Sequence, residues 1–445
     1  MSEQRIIRPT PVSGFPEWRP EIRSVEQRWL DHIRAGFERY GFSSIQTPSV
    51  EPVDVLMAKG ETSNEVYTLH RLQDDTEEST EESEARLGLH FDLTVPFARY
   101  AAQHFNELVF PFKRYQIQRV WRGERPQEGR FREFTQCDID VINPDAVPLH
   151  FDAELPQVVH EVLSGLELPD WTLRLNNRKV LQGVYAGLGV TDPLPVLRAV
   201  DKLHKIGANG VRGILVDELG MTAEQARICL QLAEISGSDT SVVDEVAKLG
   251  VSGELLTEGL DELAHTLDGL GELPAGTVLA DLSVARGLDY YTGTVYEATF
   301  DDDPDYGSIV AGGRYADLAG AFIRRSLPGV GISIGFTRIF AKLVAEGRIT
   351  GGPLSPAQVL VVVPSAERRG QARAAAAQLR ARGIATEMYH QADKVGKQIR
   401  YASRKDIAHV WFPPFADGQP HEVKDMATGT QVEATPDTWN ATRLD

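Results

Sequence analysis

The sequence predicts a mixed α and β fold followed by a separate α/β domain. Three observations support this prediction. Residues 113–140 form two alternating stretches joined by a turn rich in Arg, Glu and Gly, which indicates an antiparallel β-hairpin. Residues 192–270 carry helical repeats of Leu and Ala with Gly punctuation, which indicates a helical insertion. From residue 357 onward strand and helix patterns alternate, which favours a parallel or mixed sheet covered by helices.

The N-terminal third predicts short strands and two helices around an acidic loop. Residues 21–40 have helical spacing and stop at Gly41, and a short strand ends at Pro48. Residues 74–85 carry seven acidic groups and no basic one, which predicts a solvated surface loop, with a charged lure as the alternative. The segment around Pro96 has strand character before the proline and helical spacing after it.

Length and charge limit the function classes. A chain of 445 residues is expected to form about two to four domains. The net charge of −18 argues against non-specific coating of nucleic acid, which relies on many Lys and Arg contacts to phosphate. The basic charge is nevertheless segregated: residues 113–132 contain seven basic and two acidic side chains, and residues 394–405 contain five basic and no acidic ones. This segregation suits a specific polyanionic partner.

Cysteine usage and the N-terminus indicate a cytoplasmic protein. Cys137 and Cys229 are the two cysteines, too few for a disulfide framework or a zinc site, so no metal ligands are predicted. The opening MSEQRIIRPTP has no apolar signal core. No apolar run approaches the roughly 20 residues that span a bilayer, so we expect no membrane association.

The hairpin is the strongest candidate for a ligand-binding surface. Period-two alternation places Arg122 with Gln116 and Gln118 on one face of the first strand. On the second strand the same alternation produces one polar and aromatic face. This face is formed by Arg132, Phe134, Gln136, Asp138 and Asp140. Buried charge without partners is unfavourable, so this is a poor core face and a good face for phosphate, a base and an amine. Cross-strand ion pairs on a solvated sheet are the alternative.

Four further segments carry candidate groups. Asp92 and Thr94 would point the same way from a strand end towards an ammonium group, although a turn-capping Asp is the alternative for this segment. Arg286 precedes Tyr290 and Tyr291, which would face opposite ways if they lie in a strand.

The other two segments are rich in glycine. AGGRY, residues 311–315, requires the backbone either to turn or to approach another group closely. GVGISIGFTRI places Arg338 after a strand-to-helix junction, where it can join a helix N-terminus in holding phosphate. A dinucleotide-binding unit is weakly supported, because no strand and acidic residue accompany these glycines at the required spacing.

Together these motifs resemble those of class II aminoacyl-tRNA synthetases. The hairpin, the strand near Pro48 and the Gly-rich strand before Arg338 resemble the three signature motifs of that class. RGLDYYTGTVYE, AGGRY, DLTVPFARY and QCDID are similar to the corresponding segments of histidyl-tRNA synthetases, over nearly the whole chain. The acidic run lengthens one loop beyond the family pattern.

The resemblance implies both a domain plan and an activity. It implies an α+β catalytic domain built on an antiparallel sheet over residues 1–346, interrupted by the helical insertion at 192–270. A linker at 347–356 and a C-terminal α/β anticodon-binding domain at 357–445 complete the plan. The implied activity is ATP- and Mg²⁺-dependent activation of L-histidine and its transfer to tRNA(His) by a homodimer. The alternatives are a non-catalytic regulatory subunit of histidine biosynthesis, and a synthetase for another amino acid.

Residue roles also follow from the resemblance. Arg122 and Arg286 are implied to be catalytic beside the α-phosphate. The implied ATP-binding set is Arg122, Glu124, Arg130, Arg132, Phe134 and Arg338. The implied histidine-binding set is Asp92, Thr94, Gln136, Asp140, Tyr290 and Tyr291, with Asp140 and Tyr291 on the imidazole nitrogens. The implied tRNA-binding set is Lys394, Lys397, Arg400 and Arg404, for which a merely solvated helix face is the alternative.

Overall fold

The computed structural model describes residues 8–58, 65–70, 86–285, 287 and 290–441. The acidic run 74–85 and Arg286 lie outside the described residues. The described chain divides into two compact units. One comprises the described parts of Met1–Glu17 and Trp29–Ala345, and the other those of Trp18–Arg28 and Glu346–Asp445. No helix in these described ranges has the length and apolar character needed to cross a membrane.

The helices and strands follow one another along the chain as mixed elements. The helices are α1 Pro20–Arg39, α2 Val53–Leu56, α3 Thr94–Gln103, α4 Phe151–Ser164, α5 Arg178–Gly187, α6 Pro193–Val200, α7 Leu203–Gly213, α8 Ala223–Glu234, α9 Ser241–Ala247, α10 Glu254–Gly269, α11 Phe336–Ala345, α12 Arg369–Ala381 and α13 Val395–Arg404. The strands are β1 Ser43–Ser44, β2 Val50–Pro52, β3 Thr68–Leu69, β4 Leu87–Leu89, β5 Phe112–Trp121, β6 Glu133–Ile142, β7 Trp171–Asn177, β8 Ser236–Gly237, β9 Val278–Asp281, β10 Thr294–Phe300, β11 Val310–Tyr315, β12 Gly329–Ile334, β13 Val359–Val361, β14 Thr386–Met388, β15 His409–Phe412, β16 Glu422–Asp425 and β17 Gln431–Glu433.

The larger unit is built on a mostly antiparallel sheet. Its described strands run in the order β1-β5-β6-β12-β11-β10-β7-β9-β8, with parallel pairs at β1-β5 and β7-β9. The predicted hairpin is β5 and β6, ten residues each, and their register sets Gln118 opposite Gln136 and Arg114 opposite Asp140. Strand β6 of this hairpin also pairs with β12. It therefore lies between β5 and β12, and its polar face has a neighbouring strand on each side.

Alternation along β6 separates a core face from a polar face. Cys137, Ile139 and Val141 are at most 1 % exposed and form part of the apolar core. Burying such side chains contributes about 1.5–3 kcal/mol each for the larger ones. Their neighbours Asp138 and Asp140 point to the opposite face because successive strand residues alternate. The apolar face therefore fixes the register that presents the carboxylates.

The prediction of a strand running up to Pro96 was wrong. Strand β4 ends at Leu89, and α3 already begins at Thr94. Pro96 lies in the first turn of the helix, where a missing N–H has no intrahelical acceptor and is tolerated. Asp92 accepts a 3.1 Å hydrogen bond from the backbone N–H of Val95 and thereby caps the helix.

The segment 193–269 holds α6 to α10, and its short strand β8 pairs with β9 at the edge of the large sheet. The smaller unit carries a second sheet in the order β14-β13-β15-β16-β17. The β13-β14 and β13-β15 pairs are parallel and the last two pairs are antiparallel, so this sheet is mixed. Sequence patterning located the first three strands but not β16 and β17, whose short polar stretches give a weak signal.

Candidate active site

The polar face of the large sheet opens into two adjoining cavities. The outer cleft has a volume of about 390 Å³ and lies under the turn between β5 and β6. The inner pocket has a volume of about 30 Å³ and lies against β6, β11 and β12. Ala311 and Ser333 line both cavities, so the two cavities lie side by side.

The outer cleft is suited to a nucleotide because it combines cations with an aromatic ring. Arg122 donates a 3.1 Å hydrogen bond to the backbone oxygen of Phe91, and its guanidinium carbon lies 5.1 Å from the ring centroid of Phe134. Arg338 lies at the start of α11 and donates to the backbone oxygens of Gly129 at 2.8 Å and Ser308 at 2.6 Å. These contacts hold two guanidinium groups at the wall of the cleft.

The turn between β5 and β6 carries further charged groups. Glu124 and Arg130 both line the cleft and form an ion pair at 3.3 Å. Arg132 is not among the residues that line the cleft; its Nε donates to the backbone oxygen of Glu124 at 3.1 Å, and its backbone N–H donates to Gly14 at 2.8 Å. Arg132 therefore supports the turn in this structure.

Asp140 lies in the inner pocket with a strong cationic partner. Its Oδ2 lies 2.6 Å from Nη2 of Arg114, and its Oδ1 accepts a 3.0 Å hydrogen bond from the hydroxyl of Tyr315. Arg114 is fully buried and its guanidinium also lies 4.3 Å from the ring centroid of Phe97. Gly331 on β12 faces Asp140, and a Cβ there would lie 2.0 Å from Oδ1 of the carboxylate. Only a residue without a side chain leaves room for this acid.

Tyr290 and Tyr291 both line the inner pocket, so the expectation that they face opposite ways was wrong. They lie in a turn rather than a strand: the backbone N–H groups of both donate to the oxygen of Gly287. Their ring centroids are 5.1 Å apart. Gly287 has φ of 66°, and a Cβ there would lie 2.0 Å from the ring of Tyr291. Burial raises the pKa of both hydroxyl groups, which are therefore proton donors at neutral pH.

Gln136, Ser333 and Asp138 lie together at the boundary between the two cavities. Gln136 donates from Nε2 to the hydroxyl of Ser333 at 2.8 Å, and Ser333 lies opposite Asp138 in the β6-β12 register. Burial raises the pKa of Asp138 to about 7, while the nearby guanidinium of Arg114 opposes this shift. Asp138 is therefore partly protonated at neutral pH.

Thr94 lines the inner pocket from the first residue of α3. Asp92, its companion in the sequence prediction, caps the helix and is not among the residues lining either cavity. The four predicted basic residues of α13, which are Lys394, Lys397, Arg400 and Arg404, are all exposed and belong to the smaller unit.

The predicted site lacked Tyr315 and Ser333, which line the inner pocket, and Arg114, the buried partner of Asp140. Alternation on β5 places Arg114 on the same face as Gln116, so period-two reasoning could have included it. Tyr315 closes the AGGRY segment, whose glycines were considered without the tyrosine. Ser333 requires the β6-β12 register, which links residues about 200 positions apart and leaves no local sequence signal.

An antiparallel sheet carrying an Arg-lined cleft, an adjoining carboxylate pocket, and a separate mixed α/β unit defines a class II aminoacyl-tRNA synthetase. Comparison with known proteins specifies the member of this class. A family model described as histidyl-tRNA synthetase matches residues 14–339, and one described as an anticodon binding domain matches residues 358–437. The chain belongs to the histidyl-tRNA synthetase family.

Individual relatives agree with this assignment. A histidine–tRNA ligase of Thermobifida fusca is 76% identical over 440 residues, which cover 99% of this chain and 100% of the relative. The crystal structure of histidyl-tRNA synthetase from Nostoc sp. PCC 7120 matches with a TM-score of 0.86 and 36% identity, covering 97% of this chain and 98% of that one. A Bacillus halodurans C structure titled as an ATP phosphoribosyltransferase regulatory subunit/histidyl-tRNA synthetase shares the fold, with a TM-score of 0.72 at 20% identity and coverage of 90% and 97%.

Proposed function

We propose that this chain is a histidine–tRNA ligase that activates L-histidine with ATP and then charges tRNA(His). In the first step a carboxylate oxygen of histidine attacks the α-phosphorus of ATP, and pyrophosphate leaves. In the second step the terminal ribose hydroxyl of the tRNA attacks the histidyl carbonyl, and AMP leaves. The observation that carries this proposal is the junction of the cationic cleft with the carboxylate pocket through Ala311 and Ser333.

The outer cleft would bind ATP and stabilise the transition state. Negative charge builds on the α-phosphate during attack, and Arg122 is already held at the cleft wall before substrate arrives. Phe134 would stack on adenine, Arg338 would meet the γ-phosphate end, and Glu124 and Arg130 would order the turn beside the nucleotide. Arg286 would add a second cation at the α-phosphate by family resemblance. Positioning of the two substrates supplies most of the remaining acceleration.

The inner pocket would select histidine by pairing both ring nitrogens. Neutral imidazole has one N–H donor and one acceptor. Asp140 would accept from the ring N–H while the hydroxyl of Tyr291 donates to the other nitrogen. Asp92, Thr94 and Gln136 would hold the amino group, and Tyr290 would complete the histidine-binding set.

Mg²⁺ would accompany ATP in the outer cleft. The carboxylates of Glu124, Glu128 and Asp305 line that cleft. Mg²⁺ is usually held by one or two carboxylates together with substrate phosphates, so these residues fit the ion. The bound ion would neutralise phosphate charge. Glu124 is the strongest candidate ligand, because its neighbour Arg130 can release it and contact phosphate instead.

Three broader properties complete the proposal. The family resemblance supports a homodimer, and it supports action in the cytoplasm. Lys394, Lys397, Arg400 and Arg404 on α13 would contact the phosphate backbone of the tRNA anticodon stem, which requires exposed cations of this kind. Sedimentation of the purified chain would test the dimer directly.

Amino-acid-dependent ATP–pyrophosphate exchange tests the proposed function. We expect exchange with histidine and with none of the other nineteen amino acids, followed by histidine transfer to tRNA(His). Histidine binding without exchange would instead identify the non-catalytic regulatory alternative. Exchange with a different amino acid would contradict the assignment of the inner pocket.

A further inference from the structure

We propose that Asp138 is a further substrate-binding residue, whose carboxylate holds the α-ammonium group of histidine; this inference rests on the function proposed above. Asp138 lies on β6 between Gln136 and Asp140 and lines the inner pocket together with Ser333. It is 5 % exposed. The family resemblance assigns the ammonium group to Asp92, Thr94 and Gln136, and Asp138 would add a second carboxylate to this site.

The carboxyl group of Asp138 has an acceptor that none of the described residues uses. Its Oδ1 is buried and has no hydrogen-bond partner among the described residues. Ser333 lies opposite Asp138 in the β6-β12 register, and its hydroxyl accepts a 2.8 Å hydrogen bond from Gln136. Buried acceptors are nearly always paired in native proteins, so an unpaired acceptor on a carboxyl group whose residue lines a pocket points to a ligand carrying an N–H group.

The two neighbouring acids of the pocket differ in their charge balance. Asp140 lies 2.6 Å from the guanidinium of Arg114 and also accepts from Tyr315, so a strong cation already compensates its charge. Burial raises the pKa of Asp138 to about 7, because it outweighs the opposing effect of the nearby guanidinium of Arg114, which lowers that pKa. A cation that enters the pocket therefore gains more from Asp138 than from Asp140.

The position of Asp138 along β6 matches the middle of a histidine molecule. Residues on one face of a strand are spaced by about 6.6–6.8 Å. The carboxylate of histidine must lie towards the outer cleft, near Gln136, and the imidazole must lie towards Asp140. The Cα atom and its ammonium group then fall beside Asp138. Ligand geometry and the unpaired oxygen thus point to the same contact.

Binding of two matched ligands tests the contact. Histidinol carries the ammonium group, and 3-(imidazol-4-yl)propan-1-ol is the same molecule without it. By calorimetry with the full chain at pH 8, we expect Asp138→Asn to weaken histidinol about 10- to 100-fold, the usual effect of losing a charged hydrogen bond. The amine-free ligand should bind both proteins within about twofold.

Equal weakening of both ligands by Asp138→Asn would overturn the proposal, because it would show a structural role or a contact to the ring. If the unmodified protein does not bind histidinol, the result would instead count against the proposed function. The two failures are therefore distinguishable.

The pH dependence in the unmodified protein gives a second test that needs no variant. The charged or titratable described groups facing Asp138 are Arg114 on β5, Asp140 on β6, Asp92 before α3, Tyr290 and Tyr291 in the turn, and Tyr315 on β11. Burial raises the pKa of the three tyrosines, so they stay protonated between pH 6 and 8.

Protonated Asp138 cannot pair with an ammonium ion, and its pKa of about 7 places the change inside this range. The preference for histidinol over the amine-free ligand should therefore fall about tenfold from pH 8 to pH 6. The α-ammonium group lowers the ring pKa of histidinol relative to that of the amine-free ligand, so each affinity is first expressed per ligand with a neutral imidazole, using the ring pKa of the free ligand, and the ratio is taken from these corrected affinities. A ratio that stays constant over this range would contradict a role for the Asp138 carboxylate.

Discussion

The guanidinium of Arg114 lies 2.6 Å from the carboxylate of Asp140, and neither side chain is more than 7% exposed. This pair sets the chemistry of the inner pocket. A carboxylate has about four acceptor positions, so Asp140 can accept from Arg114, from Tyr315 and still from a ligand. Arg114 thus places a cation beside the buried carboxyl group of Asp140 and leaves that group able to accept an imidazole N–H.

Removal of Arg114 should destabilise the protein strongly. Arg114→Met leaves the carboxylate of Asp140 buried without its cation, which typically costs 3–5 kcal/mol of unfolding free energy. Urea unfolding followed by circular dichroism measures the loss. Arg119→Met on the same strand is the matched control, because Arg119 is 60% exposed and its pair with Glu133 contributes about 0–1 kcal/mol. Similar losses for the two variants would contradict a structural role for the buried pair.

Gly331 should be required for histidine binding. Gly331→Ala adds a Cβ that would lie 2.0 Å from Oδ1 of Asp140, so the carboxylate must move away from its position in the pocket. We expect at least a tenfold weaker affinity for histidinol by calorimetry, with ATP affinity changed far less. Gly213→Ala is the control, since the nearest atom to its Cβ would be 3.8 Å away. An unchanged histidinol affinity in Gly331→Ala would show that Asp140 does not contact the ligand.

Arg122 should act on the chemical step. Arg122→Ala removes a preorganised cation from the phosphate site, and loss of one such group typically lowers kcat by about 10²–10³. Arg122→Lys keeps the charge but loses the bidentate geometry of the guanidinium, so its kcat should lie between that of the parent and that of Arg122→Ala. Histidine-dependent ATP–pyrophosphate exchange measures kcat. Arg119→Gln, an exposed arginine of β5, serves as the control. A change confined to KM would show that Arg122 binds the ground state and the transition state equally and does not act on the chemical step.

The hydroxyl of Tyr291 should contribute to histidine recognition across a wide pH range. Tyr291→Phe removes the donor proposed for the imidazole, and we expect kcat/KM for histidine to fall about 10- to 100-fold. Because burial raises the pKa of Tyr291, its proton is retained through pH 9, and the ratio of variant to parent should stay constant from pH 7 to 9.

Tyr40→Phe is the control, because the hydroxyl of Tyr40 contacts Glu161 on the surface. A ratio that approaches one as the pH rises towards 9 would mean that Tyr291 loses its proton in this range and is not the donor described.

Local periodicity explains which parts of the fold and site could be predicted. The alternation of Cys137, Ile139 and Val141 with the acids of β6 identified both strand and polar face, because one apolar face fixes the register. The helical start at Thr94 was missed because Pro96 suggested a boundary, whereas proline is acceptable in a first turn.

Long-range pairing explains what the sequence could not provide. The pairing of β6 with β12 brings Ser333 and Gly331 to Asp138 and Asp140 from about 190–200 residues away. The shared direction of Tyr290 and Tyr291 depends on a turn at Gly287 rather than on strand alternation. The role of Asp138 similarly required the buried, unpaired oxygen to be seen in three dimensions.

The basic face of α13 should bind tRNA without affecting histidine activation. Arg400 and Arg404 are exposed on this helix, and replacing both with Glu removes two cations and adds two repulsive charges. We expect KM for tRNA(His) to rise about tenfold or more. The slope of log K for tRNA binding against log salt concentration should become shallower by roughly one to two, because each lost phosphate contact removes about 0.7–0.9 from that slope.

Exchange of ATP and pyrophosphate precedes any tRNA step and should keep its parent rate. Arg373→Glu on α12 is the matched control, an exposed arginine of the same unit outside the proposed surface. An equal rise in KM for the control would show that net charge, rather than the α13 face, governs tRNA binding. An unaltered KM in the double variant would remove α13 from the tRNA interface.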